Sequence, residues 1–92
     1  MTLQLLEKIF QNIEISLTFE EVKEKALLFY EQARSIKADF GDDYWIQLSK
    51  EWDLNITEVW HWETEHQLCL YKVKRDKQGN FVTNTLHEFI SI

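Results

Sequence analysis

The sequence predicts an α+β fold, with two or three N-terminal helices packed on a C-terminal antiparallel hairpin or three-stranded sheet. Two patterns predict it: apolar residues recur at helical spacing in the first half of the chain, and apolar and polar residues alternate near its end. The 92 residues fit one domain, and a composition that is 45% hydrophobic and 14% aromatic can supply a core. We therefore expect a single folded domain over residues 1–92.

The first helix is predicted from four apolar residues near the N-terminus. They follow the i, i+3, i+4, i+7 spacing of one helix face and are Leu6, Ile9, Phe10 and Ile13. Residues 13–17 either fray from this helix or form a short edge strand, because Ile13, Ile15 and Leu17 alternate with polar residues.

The second helix is predicted to begin at Thr18 and to end before Gly41. Thr18 and Glu21 have the spacing of a capping box, and Gly41 suits a helix C-terminus because glycine takes a left-handed conformation without steric cost. A single apolar stripe runs between them, formed by Val22, Ala26, Phe29, Ala33, Ile36 and Phe40. We interpret the stripe as intramolecular core, with a homodimer seam as the alternative.

A third helix is predicted after Gly41, with Asp42 or Asp43 as its N-cap. Its apolar face would consist of Trp45, Leu48, Ser49 and Trp52, which makes both tryptophans core residues. Further on, residues 68–75 alternate, and the sequence DKQGN supplies turn chemistry, which predicts a hairpin. The final six residues extend its second strand or pack as a tail.

The stretch EVWHWETEH, residues 58–66, combines tryptophans, histidines and glutamates. Its β-branched and aromatic start favours a strand, in which Trp60 and Trp62 would pack on the helices, whereas a helix would separate them by about 200°. His61 and His66 cannot share a metal ion from one regular element, since five residues place them on opposite strand faces. We expect no metal and no cofactor.

Catalysis is also not expected. Cys69 lies within a predicted strand, where a buried, inert thiol is more common than an activated one. The absence of a glycine-rich loop excludes nucleotide binding through a P-loop. A composite site of His61, Glu63 and Glu65 with distant ligands leaves a small metal-dependent enzyme as the lowest alternative. We expect a protein that is not an enzyme.

Residues 48–62, LSKEWDLNITEVWHW, resemble a helix-turn-helix segment. The resemblance implies a winged-helix transcription regulator, with the hairpin as its wing and Lys72, Lys74, Arg75 and Lys77 at the phosphates. It departs from the motif at Asp53, where a turn glycine is usual, and the recognition helix would carry glutamates but no lysine or arginine. Direct nucleic-acid binding is therefore not expected.

Charge is concentrated in one part of the chain. The formal net charge is −6, and residues 39–65 contain eight acidic residues, one basic residue and all four tryptophans. Aromatic anchors inside an acidic rim suit a basic protein partner. The predicted partner-binding residues are Asp39, Asp42, Asp43, Tyr44, Glu58, His61, Glu63 and Glu65.

These observations predict a small acidic protein-binding module of the inhibitor, immunity or antitoxin-like, or adaptor class. One cysteine forms no internal disulfide, the N-terminus has no signal-peptide pattern, and no apolar run approaches the roughly 20 residues of a membrane span. We therefore expect a soluble, cytoplasmic protein without membrane association.

Overall fold

Two helices precede a four-stranded antiparallel sheet. The computed structural model describes residues 1–60 and 64–90, and for residues 60, 64 and 65 it describes the backbone alone. In chain order the elements are α1 (Leu3–Phe10), α2 (Phe19–Ser35), β1 (Asp43–Gln47), β2 (Trp52–Trp60), β3 (Thr64–Arg75) and β4 (Phe81–Ile90). The α+β class is confirmed, and the sheet has one strand more than the largest sheet predicted.

Helix α1 confirms the first prediction. The Thr2 hydroxyl accepts a hydrogen bond from the Leu5 N–H at 3.2 Å and caps the helix, while Leu6 and Phe10 are buried. The residues after α1 form neither a helix end nor a strand. They run beside β1, where the Asn12 N–H donates to the Gln47 carbonyl at 3.0 Å. This contact ties the connecting segment to the edge of the sheet.

Helix α2 begins with the predicted capping box. The Thr18 hydroxyl accepts from the Glu21 N–H at 3.2 Å, and the Glu21 carboxylate accepts from the Thr18 N–H at 2.9 Å. The first four residues of the apolar stripe are buried within the chain, namely Val22, Ala26, Phe29 and Ala33. The stripe therefore belongs to the core, and a second copy of the chain does not cover it.

The predicted end of α2 was wrong. The helix stops at Ser35, because Lys37 takes a left-handed conformation with φ 55°. The Ala38 N–H then donates to the Ala33 carbonyl at 2.9 Å, and the Lys37 N–H donates to the Arg34 carbonyl at 3.0 Å. These bonds form a Schellman motif, which closes the helix without a glycine.

The predicted third helix is also wrong, since Asp43–Gln47 is strand β1. Neighbouring side chains of β1 point to opposite faces of the sheet, which buries Ile46 and leaves Trp45 43% exposed. Trp52 begins the next strand and is buried on the face that α2 covers. The two tryptophans therefore do not share a face, and Trp45 is not a core residue.

The helix-turn-helix alternative is wrong as well. Of residues 48–62, those from Trp52 to Trp60 form strand β2, which pairs along its whole length with β3. The run of β-branched and aromatic residues that favoured a strand decides the structure here. Trp62 lies outside the described residues, and the side chain of Trp60 is not described, so the prediction that they pack on the helices stays a prediction.

The C-terminal hairpin is confirmed. Strands β3 and β4 are joined by a turn in which the Asp76 carboxylate accepts the N–H groups of Gln78 at 2.9 Å and Asn80 at 2.8 Å. Gly79 supplies the positive φ of 84° that this turn requires. The final residues extend β4 through Ile90, and the sheet order β1-β2-β3-β4 follows the chain.

The core lies between the helices and one face of the sheet. Phe29 of α2 is fully buried, makes an edge contact with Phe10 at 5.4 Å between ring centroids, and stacks on Tyr44 of β1 at 6.0 Å. The opposite face of the sheet, which we call the outer face, is not covered by either helix. No helix in the described part of the chain is long and apolar enough to cross a membrane.

Candidate functional site

Four of the predicted partner-binding residues lie at one end of the sheet, where β1 begins and β2 ends. We call this region the acidic end and define it by Asp39, Asp42, Asp43 and Glu58. The Glu58 N–H donates to the Asp42 carbonyl at 3.5 Å, and Asp43 is paired with Thr57. Antiparallel pairing therefore places the backbone of Glu58 beside that of Asp42, sixteen residues away in the sequence, while the Asp43 and Glu58 side chains extend from opposite faces of the sheet.

The loop before β1 holds two of these carboxylates in solvent. The Asp39 carboxylate accepts a hydrogen bond from the Gly41 N–H at 2.9 Å, and Gly41 turns the chain with φ 70°. Asp42 follows directly, and its side chain is exposed. The turn therefore presents both acids to solvent, where a partner could reach them.

Asp43 is fixed beside the exposed Trp45. One oxygen of its carboxylate accepts from the Trp45 indole N–H at 3.1 Å, and the other accepts from the side-chain amide of Asn55. Asn55 is buried and also donates to the Tyr44 carbonyl at 3.1 Å. The indole ring and the carboxylate are therefore held in one orientation, so less side-chain conformational entropy is lost when a partner binds them.

Tyr44 lies on the other face of β1 from this pair. Its ring contacts Phe40 at 5.2 Å between centroids, and its hydroxyl donates to the Glu7 carboxylate at 2.6 Å. Burial and the Glu7 carboxylate raise the pKa of the Tyr44 hydroxyl, so it stays protonated. Tyr44 thereby anchors β1 to α1 beneath the acidic end.

Of the other predicted residues, Glu65 lies at the start of β3, opposite the end of β2 that carries Glu58. Glu58 is half-buried and paired with His66, whose Nδ1 lies 2.9 Å from the Tyr30 hydroxyl oxygen. Glu65 pairs with Val59 through its backbone, and its side chain is not described. His61 and Glu63 lie outside the described residues, so their predicted role at the partner surface stays a prediction.

The outer face carries an apolar patch that the sequence patterns did not predict. We call it the outer aromatic patch and define it by Trp45, Tyr71, Leu86 and Phe89. Trp45 and Phe89 lie in one row that crosses all four strands, about 14 Å apart at the usual strand spacing. The Tyr71 ring lies 4.9 Å from the Trp45 ring, and Leu86 is opposite Tyr71.

Exposure distinguishes this patch from the core. Trp45, Leu86 and Phe89 are 43%, 40% and 55% exposed, although strand residues with such large apolar side chains are commonly buried. Strand alternation could have placed Tyr71 and Phe89 on one face. Leu86 and Phe89 are three residues apart, so simple alternation would put them on opposite faces. A register shift between Leu70 and Tyr71 places both on the outer face. The sequence carries no signal for that shift.

Nucleophilic and metal chemistry receive little support from the described side chains. Cys69 is buried in the same row as Trp45, and burial raises the pKa of its thiol, which disfavours the thiolate at neutral pH. Among residues 1–60 and 64–90, no three His, Cys, Asp or Glu side chains lie close enough together to hold a metal ion.

No protein-family model, curated protein sequence or solved structure matches this chain. The surfaces themselves therefore carry the argument for function.

Proposed function

We propose that the protein is a small cytoplasmic, non-catalytic binding module that engages a basic protein partner. The binding surface consists of the outer aromatic patch and the acidic end beside it. Proteins of this kind include inhibitors, immunity or antitoxin-like proteins, and adaptors that cover a nucleic-acid-binding site on their partner.

The observation that carries this proposal is the fixed pair of Trp45 and Asp43 on an open sheet face. The Asp43 carboxylate accepts the indole N–H, and Trp45 nevertheless remains 43% exposed. Tryptophan and tyrosine dominate the binding energy of protein interfaces, above all when their side chains need no reordering. The nearby Tyr71 extends the same surface across the sheet.

Charge supports a basic partner over a neutral one. The exposed carboxylates of Asp39 and Asp42 lie at the end of β1 that also carries the Asp43–Trp45 pair. A partner whose lysines or arginines face the acidic end associates faster, and its apolar side chains then pack on the outer aromatic patch. The acidic end would thus determine the association rate of the complex, and the outer aromatic patch would determine its lifetime.

A capture experiment with two baits tests the aromatic part of the surface. Tagged wild-type protein and the Trp45→Ala variant are incubated with native lysate and eluted first at low and then at high salt. We expect mass spectrometry to find a basic protein in the high-salt fraction of the wild type, reduced roughly 30-fold or more for the variant. Equal recovery with both baits would remove the patch from the proposal.

A pair of charge-reversed variants tests the acidic part. Asp39→Lys/Asp42→Lys changes the acidic end, and Glu24→Lys/Glu31→Lys makes the same change in net charge on exposed positions of α2. Affinity for the captured partner at low salt should fall about tenfold for the first variant and change little for the second. An equal loss for both would mean that overall charge, and not the acidic end, attracts the partner.

A further inference from the structure

A groove of about 1020 Å³ lies at the end of the sheet opposite the acidic end. It is bounded by the connection between β1 and β2 and by the β3–β4 hairpin. Its basic residues, which define what we call the basic groove, are Lys50, Lys72, Lys74, Arg75 and Lys77. Half of the ten lysines and arginines of an acidic protein therefore surround one depression.

Tertiary contacts assemble this cluster from separate parts of the chain. The Val73 N–H donates to the Glu51 carbonyl at 2.7 Å, which attaches the β1–β2 connection to β3. The Lys50 N–H donates to the Ile15 carbonyl at 2.7 Å and fixes this connection from its other side. Lys50 is thereby held near the lysines of β3, more than twenty residues away in sequence.

Among the described residues, the Asp53 carboxylate lies near Arg75, and the other cations of the basic groove have no ion-pair partner. The ion pair among the described residues joins Lys23 to Glu88 at 3.3 Å, and neither residue lines the groove. No ion pair joins a cation of the basic groove to a described carboxylate. Of the two acids in the lining, Asp76 directs its carboxylate to the N–H groups of its own turn. The groove therefore presents a local excess of positive charge.

Lys72 is held in place on the face of β3 that carries Lys74, whereas Arg75 extends from the opposite face. The Lys72 ammonium lies over the Trp52 ring, 5.7 Å from its centroid, and Arg75 donates to the Gln47 side-chain oxygen. Lys72 and Lys74 are two residues apart on β3, so both extend from the same face at a spacing of about 7 Å. Such spacing suits separate anionic groups on one ligand.

We propose that the basic groove binds a small molecule that carries two or more phosphate groups. Lysine ammonium groups act as point charges for phosphate, and a volume of about 1020 Å³ is that of a small-molecule site. The described residues of its lining include no phenylalanine, tyrosine or tryptophan, and the one imidazole, His87, already contacts the Phe19 ring at 4.7 Å and the Trp52 ring at 5.0 Å between centroids. Single-stranded nucleic acids are bound through stacking on such rings, which favours a small phosphorylated ligand over an oligonucleotide.

Titration with sodium tripolyphosphate tests this site, followed by calorimetry and by the amide NMR shifts of β3. Wild-type protein is compared with Lys72→Gln/Lys74→Gln and with Lys8→Gln/Lys37→Gln, which removes the same charge from exposed lysines elsewhere. We expect binding to the wild type and to the control variant, with shifts at residues 72–79, and about tenfold weaker binding to the groove variant.

Three results would overturn the proposal. They are the absence of tripolyphosphate binding, equal weakening in both variants, and tighter binding of a short single-stranded oligonucleotide or an acidic peptide than of tripolyphosphate. Binding of the protein partner by the groove variant is measured in parallel. Leu86 belongs to both the outer aromatic patch and the groove lining, but Lys72 and Lys74 lie outside the proposed partner surface, so the two proposals fail independently.

Discussion

Asp53 illustrates how register determines the environment of a single carboxylate. It stands on the outer face between Gln47 and Tyr71, is half-buried, and has one oxygen without a hydrogen-bond donor among the described residues. Burial raises the pKa of the Asp53 carboxyl, and the nearby Arg75 guanidinium opposes the shift. From the sequence alone, Asp53 was identified only as an acidic residue at the turn of the proposed helix-turn-helix motif.

This environment predicts an unusual pH dependence of stability. Because the folded-state pKa of Asp53 is raised, the folded protein binds its proton more tightly than the unfolded chain, and stability falls as pH rises through that pKa. The free energy of unfolding of wild-type protein, from urea titrations between pH 4 and pH 7, should therefore decrease more with rising pH than that of Asp53→Asn. Parallel curves for the two proteins would contradict the assignment. Asp42→Asn serves as an exposed control.

The carboxylate of Asp76 predicts the opposite slope in the acid range. Hydrogen bonds from the Asn80 and Gln78 N–H groups lower the pKa of Asp76, so its stabilisation of the turn is present above the unfolded pKa and is lost as pH falls through the folded one. The protection factors of the residue 76–80 amides, which compare each exchange rate with that of an unstructured peptide at the same pH, should therefore fall below about pH 4. Asp76→Ala should show low protection factors at every pH, and protection equal to wild type would refute this explanation.

At the scale of elements, sequence motifs predicted those features whose hydrogen bonds join residues close together in the sequence. The capping box of α2 and the turn between β3 and β4 were predicted because each is completed within a few residues of sequence. Strand β1 was missed because its short apolar run fits both helical and strand periods. Its pairing with β2 decides between them, and that pairing lies outside the segment itself.

The cap of α2 can be tested directly. Thr18→Ala removes the hydroxyl that accepts the Glu21 N–H and should lower the free energy of unfolding by about 1 kcal/mol. Thr18→Ser keeps that hydroxyl and should retain most of the stability. Urea denaturation of the three proteins measures the difference, and equal losses for both substitutions would show that the threonine methyl group, not the cap, matters.

The two faces of the sheet should respond differently to the loss of a phenyl ring. Phe29 is fully buried in the core, whereas Phe89 is 55% exposed on the outer face. Phe29→Ala should cost about 3–5 kcal/mol or prevent folding, because it leaves a cavity, and Phe89→Ala should cost about 1 kcal/mol or less. Similar losses in urea titrations would mean that the outer face is covered in the free protein.

At the scale of the molecule, charge is separated along the sheet. Strand β3 runs from the acidic end to the basic groove, and at about 3.3 Å per residue the two regions lie roughly 25 to 30 Å apart. The sequence revealed the concentration of acids and the four basic residues of the hairpin, Lys72, Lys74, Arg75 and Lys77, but not the groove, because Lys50 joins them only through the pairing of β2 with β3. The outer aromatic patch was hidden for the same reason, since its residues come from three strands.

One connected core predicts one cooperative transition. Side chains from both helices and from all four strands belong to the same buried cluster. Tryptophan fluorescence and far-UV circular dichroism should therefore give coincident urea curves, as expected for a single domain over residues 1–92. An earlier loss of the helical signal would show that the helices and the sheet unfold separately.

The sheet order β1-β2-β3-β4 also bears on how the chain reaches this structure. Each strand pairs with the strand next to it in sequence, so no pairing has to close a long loop before it gains any hydrogen bonds. Domains that combine helices with a sheet fold at rates between those of helical bundles and those of all-β proteins. Pairing in sequence order favours rapid refolding, which limits the time that the apolar residues of the unfolded chain are available to other chains.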